Sequence, residues 1–225
     1  MSFLRYAWDW LNQPQQWHGP GGIPVRILEQ LGYAGLSLLV ATVIAVPLGV
    51  LIGHSRRGAL AVVNVANAWR SIPTLGLLVL AVITIGFSSL AWLIPLVVLA
   101  IPPILVNAYE GVAGVDPDLT DAAKGMGMTP RQQILKVEVP VALPLIMLGL
   151  RTGAIFVVAT ATIAAYIGLG GLGRYIIDGL ATQNYGEVAG GAALVVVLAL
   201  IVQLVFVGLR RLVVPAGVRG QAQPA

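Results

Sequence analysis

The chain has 225 residues, of which 58% are hydrophobic and only 10% are charged, and its formal net charge at pH 7 is +4. Together with a mean hydropathy of +0.90, this composition excludes a soluble globular domain and indicates a polytopic membrane protein. The absence of cysteine excludes disulfides, thiolate metal sites and a cysteine nucleophile, and gives no clue to redox compartment.

The first 30 residues precede the apolar runs and are predicted to form an interfacial helix and a linker on the outer side of the membrane. The apolar residues that recur there at helical spacing are Phe3, Leu4, Ala7, Trp10 and Leu11. Prolines and glycines between residues 14 and 24 predict the linker. A flexible polar tail is the alternative. Polar residues interrupt every candidate apolar core of a signal peptide, so the segment is expected to stay on the mature protein.

Hydropathy predicts that residues 31–225 form one all-α transmembrane domain, a bundle of about five helices. The predicted spans lie at about 31–53, 72–87, 90–109, 143–167 and 188–209. Little of the chain remains outside them, so no separate soluble catalytic domain fits.

The basic residues predict the orientation of the bundle, because lysine and arginine beside membrane spans stay on the cytoplasmic side. With the C-terminus inside, only Arg5, Arg26 and Arg174 lie outside, and Arg151 falls within the fourth span. The predicted cytoplasmic residues are Arg56, Arg57, Arg70, Lys124, Arg131, Lys136, Arg210, Arg211 and Arg219. The N-terminus is therefore predicted outside and the C-terminus inside.

The loop between the third and fourth spans, residues 110–142, contains a long polar break at residues 121–140 and faces the cytoplasm in this topology. Asp116 can cap a helix that has Pro117 at its first position. Gly125 and Gly127 are predicted to end that helix, because glycine enters the left-handed conformation at little cost.

A second helix is predicted directly after this glycine pair. Thr129 as the cap, Pro130 at the first position and Gln132 at the third form a capping box. Pro140 is predicted to stop the helix before the fourth span. Two capped helices joined at a glycine favour a rigid cytoplasmic hairpin over the alternative, a solvated loop, and such a hairpin can transmit motion from a soluble partner.

This segment resembles the EAA loop of permease subunits of binding-protein-dependent ABC importers. The family pattern is Glu-Ala-Ala, three residues, Gly, nine residues, and then Ile-x-Leu-Pro. The matching residues here are Asp121, Ala122, Ala123, Gly127, Val137, Val139 and Pro140. The spacing agrees, while Asp replaces Glu and Val replaces both Ile and Leu. The resemblance implies that these residues couple the bundle to an ATPase.

The resemblance also implies the partners of the chain. They are cytoplasmic ABC ATPase subunits, a second permease copy or a homologous permease, an extracytoplasmic substrate-binding protein, and membrane lipid. The chain itself is expected to hold no cofactor, with ATP and Mg bound by the partner ATPase. Neither Lys124 nor Lys136 is followed by Ser or Thr, as a Walker lysine requires. The implied location is a bacterial or archaeal cell membrane.

Two segments bear on the substrate. Residues 70–76, RSIPTLG, and residues 167–174, IGLGGLGR, resemble permeases for osmoprotectants such as glycine betaine, choline and carnitine. The resemblance implies that the chain forms the translocation path for a quaternary amine. Methionine permeases share related segments, so methionine or another small polar solute is an alternative, and a non-conducting structural subunit is another.

The glycine-rich segment satisfies the spacing of a dinucleotide-binding loop through Gly168, Gly170 and Gly173. It follows a membrane span rather than a strand, so dinucleotide binding is not expected. Together with Gly171, these residues are predicted to form a tight outer loop that gates the pore.

The predicted spans contain no His, Asp, Glu or Cys, so neither intramembrane catalysis nor a metal site is expected. His18 and His54 lie in different segments without a second ligand spaced nearby. Arg151 either faces the path or extends to the cytoplasmic surface, and no residue is assigned to substrate. Nucleic-acid binding is not expected, because the basic residues flank spans instead of forming one patch with aromatics.

Overall fold

The structure, a computed structural model, describes residues 3–56, 58, 60, 62, 64, 68–69 and 71–214. Regular structure in these residues is helical, without strands, which confirms the all-α prediction. The helices are α1 (Phe3–Leu11), α2 (Ile23–Ser55), α3 (Thr74–Ile85), α4 (Ser89–Ala113), α5 (Pro117–Gly125), α6 (Pro130–Gln133), α7 (Val139–Ala164), α8 (Gly173–Ala181) and α9 (Tyr185–Val213). Arg57, Arg70 and Arg219, which entered the charge count, lie outside the described residues.

Four helical stretches in the described part of the chain are long and apolar enough to cross a membrane: α2, α4, α9 and Pro130–Ile167, which includes α7. The second predicted span corresponds to α3, which has 12 residues. At 1.5 Å per residue α3 is about 18 Å long, shorter than the roughly 30 Å hydrocarbon core. Five crossings therefore stay a prediction, while a multi-pass membrane protein is supported.

The helices extend beyond the predicted spans. α2 begins at Ile23 rather than at residue 31, so Arg26, Glu29 and Gln30 belong to it and not to a linker. α4 continues to Ala113 and α7 begins at Val139, which shortens the predicted loop at residues 110–142. A hydropathy window marks only apolar residues, whereas a helix continues wherever its backbone hydrogen bonds remain satisfied.

The prediction that Pro140 ends a helix is wrong. Helical structure continues through a π-helical stretch, Ile134–Glu138, directly into α7. Within it the Val139 N–H donates to the Ile134 carbonyl, five residues back. Proline has no N–H, so an α-helical hydrogen bond cannot form at Pro140. The π-helical stretch changes which carbonyl each N–H binds just before Pro140, and the helix can therefore continue.

The described residues fall into two compact units. The first lies within Met1–Leu38, Ile72–Leu99 and Ala154–Gln203, and the second within Leu39–Ser71, Ala100–Gly153 and Leu204–Ala225. The first unit has a core cluster of Leu78, Ala164 and Leu169, against which Tyr33, Trp92 and Ile167 pack. The core cluster of the second unit consists of Val50, Ala108, Val112, Ala142 and Ile146. Each unit is thus held by contacts between different helices.

Glycines bring helix backbones together in the second unit. A Cβ built at Gly49 of α2 would lie 2.7 Å from the Cβ of Ala108 and 2.8 Å from the carbonyl oxygen of Leu105. A Cβ at Gly149 of α7 would lie 2.8 Å from the Cβ of Asn107. These distances leave no room for a side chain, so α4 packs directly on the backbone of both neighbours.

Candidate functional site

The polar hairpin, residues 116–138 of the second unit, contains the two predicted helix caps. Asp118 N–H donates to Asp116 Oδ1 at 2.9 Å at the start of α5. At the start of α6, Thr129 N–H donates to Gln132 Oε1 at 2.9 Å and Gln132 N–H donates to Thr129 Oγ1 at 3.4 Å. The capping box and the Asp116 cap are therefore confirmed.

The hairpin reverses at Gly127, whose φ is +77°. Its N–H donates to the carbonyl of Lys124 at 2.9 Å, and the N–H of Met128 donates to the carbonyl of Ala123 at 3.1 Å. Gly125 is the last residue of α5 and is not among the glycines with positive φ. The left-handed conformation that the sequence predicted for this turn is thus located at Gly127.

The residues that match the family motif lie in different surroundings. Asp121 and Ala122 are exposed, and Asp121 Oδ1 pairs with Lys124 Nζ at 2.9 Å. Ala123 is only 1% exposed, so it packs inside the chain instead of facing a partner. Val137 and Pro140 are partly buried.

Val139, at the start of α7, packs against the core cluster of the second unit. The residues of the motif therefore extend from an exposed face of α5 to the buried base of the hairpin.

Exposed apolar side chains surround the turn of the hairpin. Leu119, Met126 and Leu135 are 47%, 70% and 69% exposed. Exposed apolar side chains that cluster on an otherwise polar segment are typical of a surface that packs against another protein.

Buried polar contacts, which the sequence reasoning missed, fix the base of the hairpin. Gln133 Nε2 donates to the carbonyl of Met128 at 2.9 Å. Glu138 is 5% exposed, and both of its carboxylate oxygens lie 2.9 Å from Nδ1 of His54 at the end of α2. Arg56 Nη2 donates to the carbonyl of Val115 at 3.1 Å. The contact at Nδ1 thus makes His54 the partner of Glu138.

The glycine loop, residues 168–173 of the first unit, lies against α2. Gly168 and Gly171 have φ values of +89° and +84°, and Gly171 N–H donates to Glu29 Oε2 at 2.8 Å. A Cβ at Gly170 would meet the carboxylate of Glu29, and one at Gly173 would meet the carbonyl of Thr162. All four glycines predicted to form this loop are therefore needed for its tight path.

Gln30 holds the glycine loop from the buried side of α2. Its side chain is 0% exposed. Nε2 donates to the carbonyl of Val158 at 2.9 Å and to Thr162 Oγ1 at 3.1 Å, and Oε1 accepts from Leu172 N–H at 3.2 Å. A buried amide must find such partners, and a glutamine at the edge of an apolar run is the sequence signal that could have indicated this contact.

Two further polar contacts support the same region. Arg26 Nη1 pairs with Glu29 Oε2 at 2.9 Å. The hydroxyl of Tyr175 donates to the carbonyl of Gly21 at 2.6 Å, and its ring meets that of Trp10 edge-to-face with centroids 5.0 Å apart. Burial raises the pKa of Tyr175 to about 12, so this hydroxyl keeps its proton at neutral pH.

Gln30→Met is expected to loosen the glycine loop, because methionine preserves the volume but leaves Leu172 N–H without its acceptor. An unsatisfied buried donor costs about 1–3 kcal/mol, so the midpoint of thermal unfolding in detergent should fall. Gln203→Met in α9 is the matched control and should leave the midpoint unchanged. Equal midpoints for the two variants would show that Gln30 does not hold the loop.

Residues 45–217 match the protein family described as the binding-protein-dependent transport system inner membrane component. The chain belongs to this family. The family predicted from the hairpin motif is thereby confirmed. Members are permease subunits of ABC importers, and the family implies ATPase and binding-protein partners.

Three curated relatives of this permease share 34–37% identity over most of both chains. The choline transport system permease protein OpuBB of Bacillus subtilis (strain 168) is 34% identical over 88% of this chain and 92% of its own length. The glycine betaine/carnitine/choline transport system permease protein OpuCB of the same strain is 36% identical, over 87% and 90%. The carnitine transport permease protein OpuCB of Listeria monocytogenes is 37% identical, over 87% and 89%.

A solved structure supports the same architecture. An inward-facing structure of the MetNI methionine ABC transporter superimposes with a TM-score of 0.76 and 26% identity, covering 91% of this permease and 100% of the compared chain.

Proposed function

We propose that this permease forms the translocation path for a quaternary-amine osmoprotectant. The observation that carries the proposal is the set of relatives at 34–37% identity, named for transport of choline, glycine betaine and carnitine. These three solutes share a trimethylammonium group. The similarity extends over most of both chains, so it includes the membrane helices as well as the hairpin.

We further propose that the polar hairpin is the element that couples the bundle to a cytoplasmic ATPase, which binds ATP and Mg. The exposed side chains of Leu119, Ala122, Met126 and Leu135 offer an apolar surface for that partner. The pair between His54 and Glu138 joins the hairpin to the end of α2. A displacement of the hairpin would therefore be transmitted to a membrane helix.

Methionine is the second candidate substrate, because the solved structure with a TM-score of 0.76 comes from a methionine transporter. Its sequence identity of 26% is lower than that of the relatives named for quaternary amines. The sequence comparison therefore favours the osmoprotectant.

Deletion of this permease in cells without other uptake systems tests the substrate. Accumulation of labelled choline, glycine betaine or carnitine at high osmolarity should be lost, and the plasmid-borne gene should restore it. Loss of methionine accumulation with unchanged accumulation of all three quaternary amines would transfer the assignment to methionine.

The proposed topology can be tested with single cysteines, because the chain contains none of its own. Met126→Cys in the hairpin and Thr182→Cys after α8 place thiols at two exposed positions. A membrane-impermeant maleimide should label Thr182→Cys in intact cells and Met126→Cys only after lysis. Labelling in the opposite order would invert the orientation.

A further inference from the structure

An open cavity of about 330 Å³ lies within the first unit. Phe87 and Ser88 line it from the turn between α3 and α4, and Ser89 and Trp92 line it from the first turn of α4. Ile167 and Leu169, beside the glycine loop, form the facing wall. None of the described residues that line the cavity carries a charge.

Trp92 is fixed in position by its surroundings, whereas the side chain of Phe87 is 87% exposed. The ring of Trp92 meets that of Tyr33 edge-to-face, with centroids 4.9 Å apart and an interplanar angle of 60°. Trp92 also packs against the core cluster of the first unit. An indole that is held in this way keeps its electron-rich surface in place without a loss of side-chain freedom when a ligand binds.

These properties suit a cation that cannot donate hydrogen bonds. A quaternary ammonium is attracted to the face of an aromatic ring, most strongly to tryptophan. Its methyl groups fit an apolar wall, and it needs no carboxylate partner. The volume lies at the lower end of the range of about 300–1,000 Å³ for ligand pockets, as a small solute requires. Serine hydroxyls at the rim can donate to a carboxylate or accept from a hydroxyl.

We propose that this cavity is a quaternary-ammonium site of the permease itself, with Trp92 as the principal contact and Phe87 as a second ring. This inference rests on the proposed function and names a binding site on the translocation path. In the proposed topology the turn between α3 and α4 and the glycine loop both lie on the outer side. The cavity would therefore receive solute from the outer side. Movement of the glycine loop would shift Ile167 and Leu169 and so change the shape of the cavity wall.

The test places a thiol in the cavity with Ser89→Cys, the only cysteine of the chain, in the assembled transporter. Two methanethiosulfonate reagents of similar size are compared, one with a trimethylammonium group and one with a hydroxyl group. Modification of this chain is followed by intact mass. The rate with the trimethylammonium reagent is divided by the rate with the hydroxyl reagent. This ratio measures the preference of the cavity for the cation, because differences in thiol access between variants affect both rates alike.

Trp92→Leu in the Ser89→Cys background should lower that ratio about fivefold, as the loss of one cation–π contact predicts. Trp92→Phe should lower it less, because it keeps a ring. The matched control is Trp8→Leu on the exposed face of α1, 68% exposed, which should leave the ratio unchanged. Choline or tetramethylammonium chloride should slow modification of Ser89→Cys, whereas sodium chloride at equal ionic strength should not.

Uptake is also measured with transporters that keep Ser89. This measurement separates the proposed function from the proposed site in the cavity. If the transporter accumulates quaternary amines while the rate ratio is independent of Trp92, the cavity is not the site and the proposed function stands. If it accumulates methionine and no quaternary amine, the proposed function fails. If Trp92→Leu abolishes assembly, two other results decide whether the cavity is the site. They are the fall in the rate ratio caused by Trp92→Phe and the slower modification of Ser89→Cys in the presence of choline. If neither is observed, the cavity is not a quaternary-ammonium site.

Discussion

Gly49→Val is expected to reduce the amount of folded permease in the membrane more than any other single change considered. A Cβ at this position would lie 2.8 Å from the carbonyl oxygen of Leu105 and 3.0 Å from the amide nitrogen of Tyr109. Both are backbone atoms of α4, so the helices must separate to admit the side chain. Overpacking of this kind costs about 1–3 kcal/mol, and occasionally more, out of a total stability of about 5–15 kcal/mol.

Gly35→Val is the matched control, because it introduces the same side chain into the same helix. Nothing lies within 4 Å of a Cβ at Gly35. Size-exclusion profiles of detergent-extracted protein should show loss of the monodisperse species for Gly49→Val and near-normal yield for Gly35→Val. Equal yields would mean that α2 and α4 do not pack through Gly49.

Gly127→Val is expected to leave the membrane bundle folded while it uncouples ATP hydrolysis from transport. The φ of +77° at this residue costs a residue with a Cβ roughly 1–2 kcal/mol. Nothing lies within 4 Å of a Cβ there, so the effect is conformational and not steric. The second half of the hairpin would lose its direction relative to α5.

Gly125→Val, two residues earlier, is the control for this change. A Cβ at Gly125 also has open space around it, but the residue is helical. Copurification of the ATPase and uptake by proteoliposomes should be impaired for Gly127→Val and retained for Gly125→Val. Retention of both properties in Gly127→Val would show that the hairpin is not the coupling element.

Two other substitutions in the hairpin would disturb its own packing, so neither reports on the ATPase contact alone. Ala123→Trp would disturb the hairpin itself, because Ala123 is 1% exposed and does not face a partner. Gln133→Ala is not a neutral control, because it removes the hydrogen bond from Gln133 Nε2 to the Met128 carbonyl. Both effects follow from burial, which a short polar segment does not reveal in its sequence.

Local features of the fold were predictable because they depend on neighbouring residues. The caps at Asp116 and Thr129 and the left-handed turn at Gly127 are properties of a few adjacent positions. The effect of Pro140 was not predictable from the proline alone, because the π-helical stretch before it changes the backbone pairing. Adjacent residues thus predict the caps and the turn of the hairpin, but not the continuous helix that connects it to α7.

Contacts across the chain were not predictable from local patterns. Glu138 reaches His54, and Gln30 reaches Leu172, over long separations in sequence. Neither pair has a characteristic spacing. Trp92 likewise resembled an ordinary apolar residue of a span until the structure placed it beside a cavity with Ile167 and Leu169.

The function proposed for this chain is an ATP-coupled path for a quaternary amine. Its most direct test is uptake of labelled choline, glycine betaine or carnitine by proteoliposomes that contain the purified transporter, with ATP enclosed and loaded binding protein outside. Accumulation should require both ATP and the binding protein, and it should be lost when Gly127→Val replaces the native chain. ATP-independent entry, or accumulation of methionine alone, would contradict it.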